Sequence, residues 1–235
     1  MDSKFVDKDF EEFISCLKNT TLKGVFLEKN IIKFKRMHHV VYSILLLNKR
    51  LKTKNISKEF FDEILSDYIQ IIPLLIRGYN KVSIYYLRDI LENCLKYIYY
   101  YDHPIELSWL ERKDKEKYFV EIGEFLKYIN DHPTLERYQK ELEISGKIKA
   151  KYFHLSKYVH SRNKNFMQLW KCLNSIEFDE QFLEMYISEY EEVTDIVLTL
   201  IILFNYEKFK KIDIAEQRVI LGSINKTYKK YIQSI

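Results

Sequence analysis

Apolar residues recur every three or four positions along most of the chain. That is the period of a helix with one buried face, not the alternation of a strand. Phe10, Phe13, Ile14 and Leu17 predict a first helix over about 7–18, followed by a break at 19–21. Ile31, Phe34, Met37, Val41, Ile44 and Leu45 predict a second over 28–50, and the basic stretch 48–55 reads as a polar connection. Ser57 is placed to cap the next helix through its hydroxyl, ahead of Phe60, Phe61, Ile64, Leu65, Tyr68 and Ile72. Pro73 is expected to kink that helix and Gly78 to stop it. The most regular stripe follows over 80–101, with Ile84, Leu87, Leu91, Cys94, Leu95 and Ile98, until Asp102-His103-Pro104 ends it.

The second half repeats the pattern. Helices are expected over 106–112 and 114–130, with a break at Asp131-His132-Pro133 and a cap at Thr134. Ser145-Gly146 reads as the boundary before a helix carrying Ile148, Tyr152, Leu155 and Val159. Residues 161–165 read as a loop, and 170–176 fits helix and loop equally. Asp179 opens a long helix to about 205, and Asp213 opens a last one to about 232. The sum is eight to ten helices and no strand. The expectation is one all-α domain over 1–235, a helical bundle with its core in about 57–205 and elaborations at 7–50 and 213–232.

Composition sharpens this picture. Only 5 Gly and 3 Pro occur in 235 residues, too few for an all-β chain with its many turns. The formal net charge is +4, a mild excess that does not by itself mark a nucleic-acid binder. Cys16, Cys94 and Cys172 are far apart and offer no paired ligand spacing, so neither a zinc site nor a disulfide framework is expected. The charged N-terminus lacks an export pattern, and the longest apolar run, 196–204, falls well short of the ~20 residues of a membrane span. A cytoplasmic protein with no membrane partner is the expectation.

Phosphate-binding glycine loops, zinc-protease HExxH and hydrolase GxSxG patterns do not occur, and no ExxH pair offers a carboxylate-bridged metal. The expectation is therefore no metal and no cofactor. His38 and His39 are adjacent on a helix and point about 100° apart, so they do not converge on one ligand; one half-buried and one surface histidine is expected. His103 and His132 each precede a proline at a helix stop and are expected to hydrogen-bond a helix end.

Two segments concentrate polar chemistry on otherwise apolar helix edges. In 86–96, Arg88 borders the apolar face and Glu92 follows one turn on, in pairing distance. In 152–163, Tyr152, Ser156 and His160 line one edge, one turn apart. If the two edges meet, Arg88, Glu92, Ser156 and His160 form one polar pocket. There a histidine moves protons and an arginine offsets phosphate charge, the minimum for metal-free RNA cleavage. The plain alternative is a structural Arg88–Glu92 ion pair with His160 as a cap. Beside these lie Lys147, Lys149, Lys151, Lys157, Arg162, Asn163 and Lys164, of which Lys151, Lys157, Arg162, Asn163 and Lys164 are the candidate RNA contacts.

The same segments read LRxxLExxLKxxYY…HPxE and YxxLSxYVHS, and over about 81–163 they resemble bacterial helical proteins of the HEPN superfamily, closest to abortive-infection members. The resemblance implies a helical bundle, frequent homodimerisation, and a role in anti-phage defence or RNA metabolism. Active members cleave RNA without metal, using an arginine, then four to six residues, then a histidine. No arginine here has histidine at that spacing; after Arg162 the corresponding positions are Met167, Gln168 and Leu169. Three readings follow. One is a defence protein that binds or cleaves RNA. Another is a non-catalytic module that partners a separate defence effector. The third is a helical enzyme with a small-molecule pocket.

Overall fold

The computed structural model describes residues 3–18, 24–53, 55–112, 120–161, 167 and 178–235. Among these residues it contains twelve α-helices and no strand: α1 (Ser3–Lys18), α2 (Gly24–Leu51), α3 (Lys58–Ile76), α4 (Asn80–Asp102), α5 (Pro104–Leu110), α6 (Ile122–Asp131), α7 (Glu136–Leu142), α8 (Ile144–Val159), α9 (Glu180–Phe204), α10 (Tyr206–Phe209), α11 (Ile214–Leu221) and α12 (Lys226–Ser234). The all-α expectation holds, with more helices than the eight to ten of the periodicity reading. No described helix is long and apolar enough to cross a membrane.

α4 is the organising element. It packs on α3, α8 and α9, and Ile84, Leu87, Ile90, Leu91, Leu95 and Ile98 are all buried against them. α9 is buried on nearly every side from Val193 to Leu203, which explains an apolar run with no polar face. Tyrosines fill much of this centre and lock helices together through their hydroxyls. Tyr186 donates to the Ser83 carbonyl and Tyr190 to the Met37 carbonyl, both at 2.9 Å. The buried residues form one cluster that draws on α2, α11 and α12 as well as the 57–205 stretch.

Several boundaries differ from expectation, each for a local reason. Ser57 does not cap α3: its backbone is helical and its hydroxyl makes no capping bond, while the Asn55 side chain accepts the Ser57 N–H at 3.1 Å. Ser145 and Gly146 lie inside α8. The break sits two residues earlier, at Glu143, which takes a left-handed φ of 50°. Thr134 is no cap either; its N–H is accepted by His132 Nδ1 at 3.1 Å. The expected last helix is two, because the Asn225 side chain accepts from the N–H groups of Thr227 and Tyr228 and starts α12 afresh. Asp179 and Asp213 do cap α9 and α11 through their carboxylates. The predicted helix over 114–130 is seen from Ile122; 113–119 lies outside the described residues, as does all of 170–176, Cys172 included.

The paired histidines of α2 are more buried than expected, one buried and one half-buried, and they face different helices. His38 Nε2 lies 3.0 Å from Asp9 on α1, and His39 Nε2 donates to the Val219 carbonyl on α11 at 3.1 Å. Burial is the leading cause that lowers both pKa values below 6.5, with Asp9 and the Val219 carbonyl opposing it. A histidine kept neutral in the fold binds fewer protons than in the unfolded chain. Its contribution to stability is therefore complete above pH 6.5 and is lost as pH falls through the lowered folded values. The carboxyl groups of Asp67, Asp89 and Asp195, whose pKa values burial raises, act in the opposite sense, so the check is a difference. Between about pH 7 and pH 5, wild type is expected to lose more thermal stability than His38→Asn/His39→Gln, followed by circular dichroism.

Candidate functional site

The α4–α8 seam brings three of the four expected pocket residues together. Tyr152 and Ser156 lie one turn apart on the face of α8 that meets α4, and Arg88 reaches across to both. Arg88 Nε donates to Ser156 Oγ at 3.1 Å, and its Nη2 hydrogen-bonds the Tyr152 hydroxyl. The guanidinium also lies over the Tyr152 ring, 4.7 Å from its centre. The Tyr152 hydroxyl donates to Glu92 at 3.3 Å, and Ser156 donates to the Tyr152 carbonyl at 2.7 Å. Glu92 sits 3.8 Å from Arg88 but 2.8 Å from Lys96, so its closer cation is the lysine. Burial first, and the Glu92 charge next, push the Tyr152 pKa up, so the phenol stays a neutral link in this chain.

This network pins Arg88. Two of its nitrogens are committed to Ser156, Tyr152 and Glu92, and the side chain is only partly exposed. Tyr152, named in the sequence as a lining residue, is in fact the hub. Its buried position in the α8 stripe was legible; its bond to Arg88 depends on the α4–α8 register, which no local pattern encodes.

His160 stands apart from the network. It is the exposed C-cap of α8, with its backbone N–H bonded to the Ser156 carbonyl at 3.0 Å. Among the described residues its ring makes no hydrogen bond or ion pair. The seam therefore holds Arg88, Glu92 and Ser156 without an adjacent proton-transfer histidine in contact.

α8 sorts its remaining side chains into two edges. On the edge toward α9, Lys151 is bound at 2.8 Å by Glu189 and also by Glu192, and His154 lies 3.2 Å from Glu189. The Lys151 side chain is only 12% exposed, so its charge is largely spent inside the protein. On the outward edge, Lys149, Phe153, Lys157 and His160 are all exposed. At about 100° per residue these four fall within an arc of roughly 80° and along roughly 16 Å of helix. Phe153 is 46% exposed, and among the described residues neither Lys149 nor Lys157 is in an ion pair. Arg162, Asn163 and Lys164 lie outside the described residues.

A further carboxylate group lies on the α3–α4 face, built from Glu63, Asp67 and Asp89. The sequence signal was present: Asp67 falls on the same stripe as Ile64 and Ile71, a position where an apolar residue belongs. No family model, no curated protein and no solved structure matches this chain.

Proposed function

We propose that the chain is an RNA-binding helical protein of the HEPN-like, anti-phage-defence type that its α4 and α8 segments resemble, and that it engages single-stranded RNA along the outward edge of α8. The observation that carries this reading is the run Lys149–Phe153–Lys157–His160, two uncommitted lysines with an exposed aromatic ring between them. Single strands are held by that combination: cations track the backbone and rings stack on bases without regard to sequence. Arg88, pinned at the neighbouring seam, adds a third, pre-organised cation. Arg162, Asn163 and Lys164 would extend the contact beyond the end of α8. A cytoplasmic homo-oligomer, working alone or with a protein partner of a defence complex, belongs to the same proposal.

Binding is the part of the function this geometry supports best. Cleavage would need His160 to act at a phosphate also reached by Arg88, as acid or base on the 2′-hydroxyl and leaving oxygen. The test is fluorescence anisotropy with mixed-sequence single-stranded RNA, run beside a cleavage assay in chelator. Phe153→Ala is expected to weaken binding about tenfold, the loss of one stacked base. Cleavage by wild type that disappears in both Arg88→Ala and His160→Ala would extend the proposal to catalysis. Absence of any salt-sensitive RNA binding would overturn it in favour of a protein-interaction module.

A further inference from the structure

The carboxylates of Glu63 and Asp67 on α3 and of Asp89 on α4 each bring an oxygen within 4.8 Å of the other two. Among the described residues none of the three forms an ion pair; Asn93 donates to Asp89 Oδ2 at 3.1 Å, and Asp67 and Asp89 face each other closely enough to share a proton. Asp67 is the decisive member. It is 0% exposed, and neither of its carboxylate oxygens meets a hydrogen-bond donor. Carboxyl oxygens of Glu63 and Asp89 lie within 4.8 Å of it, and these are acceptors only when ionised. A buried carboxylate without a donor is strongly unfavourable, and two more carboxylates facing it add repulsion.

We infer that Glu63, Asp67 and Asp89 form a binding site for a hard divalent cation of the Mg²⁺, Mn²⁺ or Ca²⁺ class. An all-oxygen, carboxylate-only set selects those ions over zinc or copper, which favour nitrogen and sulfur. The graded burial also fits. Asp67 anchors the ion from inside, Asp89 is half-buried, and Glu63 is exposed, leaving an open side where water completes the shell. The site joins the closely packed pair α3 and α4, so an ion there would clamp the two helices. The alternative is that Asp67 stays protonated and shares that proton with Asp89, since burial and the neighbouring charges of Asp89 and Glu63 raise the Asp67 pKa to about 8. The two states make opposite predictions for the same variants. The site is separate from the outward edge of α8, so it stands or falls independently of RNA binding.

The experiment uses the full chain, stripped with chelator, and titrates Mn²⁺ followed by the loss of the free-ion electron paramagnetic resonance signal. A thermal melt in Mn²⁺ or in Ca²⁺ runs alongside. Wild type is expected to take up one equivalent of Mn²⁺ and to gain roughly 5–10 °C in Tm at a hundredfold excess over Kd. Whichever of Mn²⁺ and Ca²⁺ gives the larger rise identifies the preferred ion. Asp67→Asn is expected to abolish both effects. Should Asp67→Asn fail to fold, the exposed Glu63→Gln takes its place, with an expected loss of about tenfold in Mn²⁺ affinity. The inference is overturned if wild type leaves the free-ion signal and both melts unchanged; an Asp67→Asn protein more heat-stable than wild type would then mark a shared proton. It is equally overturned if Glu63→Gln binds Mn²⁺ as tightly as wild type, because the ion then sits elsewhere.

Discussion

Tyr190→Ala is expected to destabilise the protein by about 3–5 kcal/mol, the range for removing a buried aromatic side chain. Tyr190 is 1% exposed and sits where α9 crosses α2. Its ring meets that of Tyr68 edge-to-face at 5.4 Å, and its hydroxyl donates to the Met37 carbonyl at 2.9 Å. Truncation opens a cavity and also strips that α2 carbonyl of its added donor. Tyr190→Phe keeps the ring and is expected to cost only about 1 kcal/mol. Urea unfolding separates the two contributions. A Tyr190→Ala effect no larger than that of Tyr190→Phe would mean that α2 is not locked to α9 in the way the buried cluster indicates.

Reversing the two lysines of the α8 edge, Lys149→Glu with Lys157→Glu, is expected to weaken RNA affinity roughly a hundredfold. On the proposed RNA-binding edge, each substitution would remove a phosphate contact and place a like charge beside the backbone. Both side chains are exposed, and among the described residues neither is ion-paired, so the fold should tolerate the change. Lys151→Glu is the informative contrast. Lys151 sits between Glu189 and Glu192, so reversal leaves three carboxylates together and should lower stability more than it affects RNA contacts. A melt of each variant distinguishes these outcomes before binding is measured.

The regular parts of this architecture were legible because they follow one rule, a buried stripe at helical spacing. Ile84, Leu87, Leu91, Leu95 and Ile98 outline α4 almost to the residue, and Asp179 and Asp213 declare their helix starts. The misreadings share a cause too: a residue type was taken for a boundary without knowing which neighbour satisfies the backbone. Gly146 falls in the first turn of α8, where helix hydrogen bonds are still incomplete and glycine costs little. Ser57 makes no capping bond because its own backbone is already helical, in a turn where its N–H is taken by the Asn55 side chain.

The site shows the same division. Arg88, Glu92 and Ser156 stand out as polar residues on apolar edges, and packing of α4 on α8 unites them. What the sequence does not encode locally is partnership. Lys151 looks as basic as Lys157, yet two carboxylates 38 and 41 positions further on consume its charge. Glu63, Asp67 and Asp89 look like ordinary helix charges until α3 and α4 fold against each other.

The most direct test of the account is the salt dependence of single-stranded RNA affinity for wild type and for Lys149→Glu/Lys157→Glu, by fluorescence anisotropy. The account predicts a steep log–log decline for wild type, and a slope shallower by about 1.4 in the variant, two phosphate contacts at about 0.7 each. Equal slopes in the two proteins, or an affinity indifferent to salt, would contradict the claim that the outward edge of α8 holds RNA.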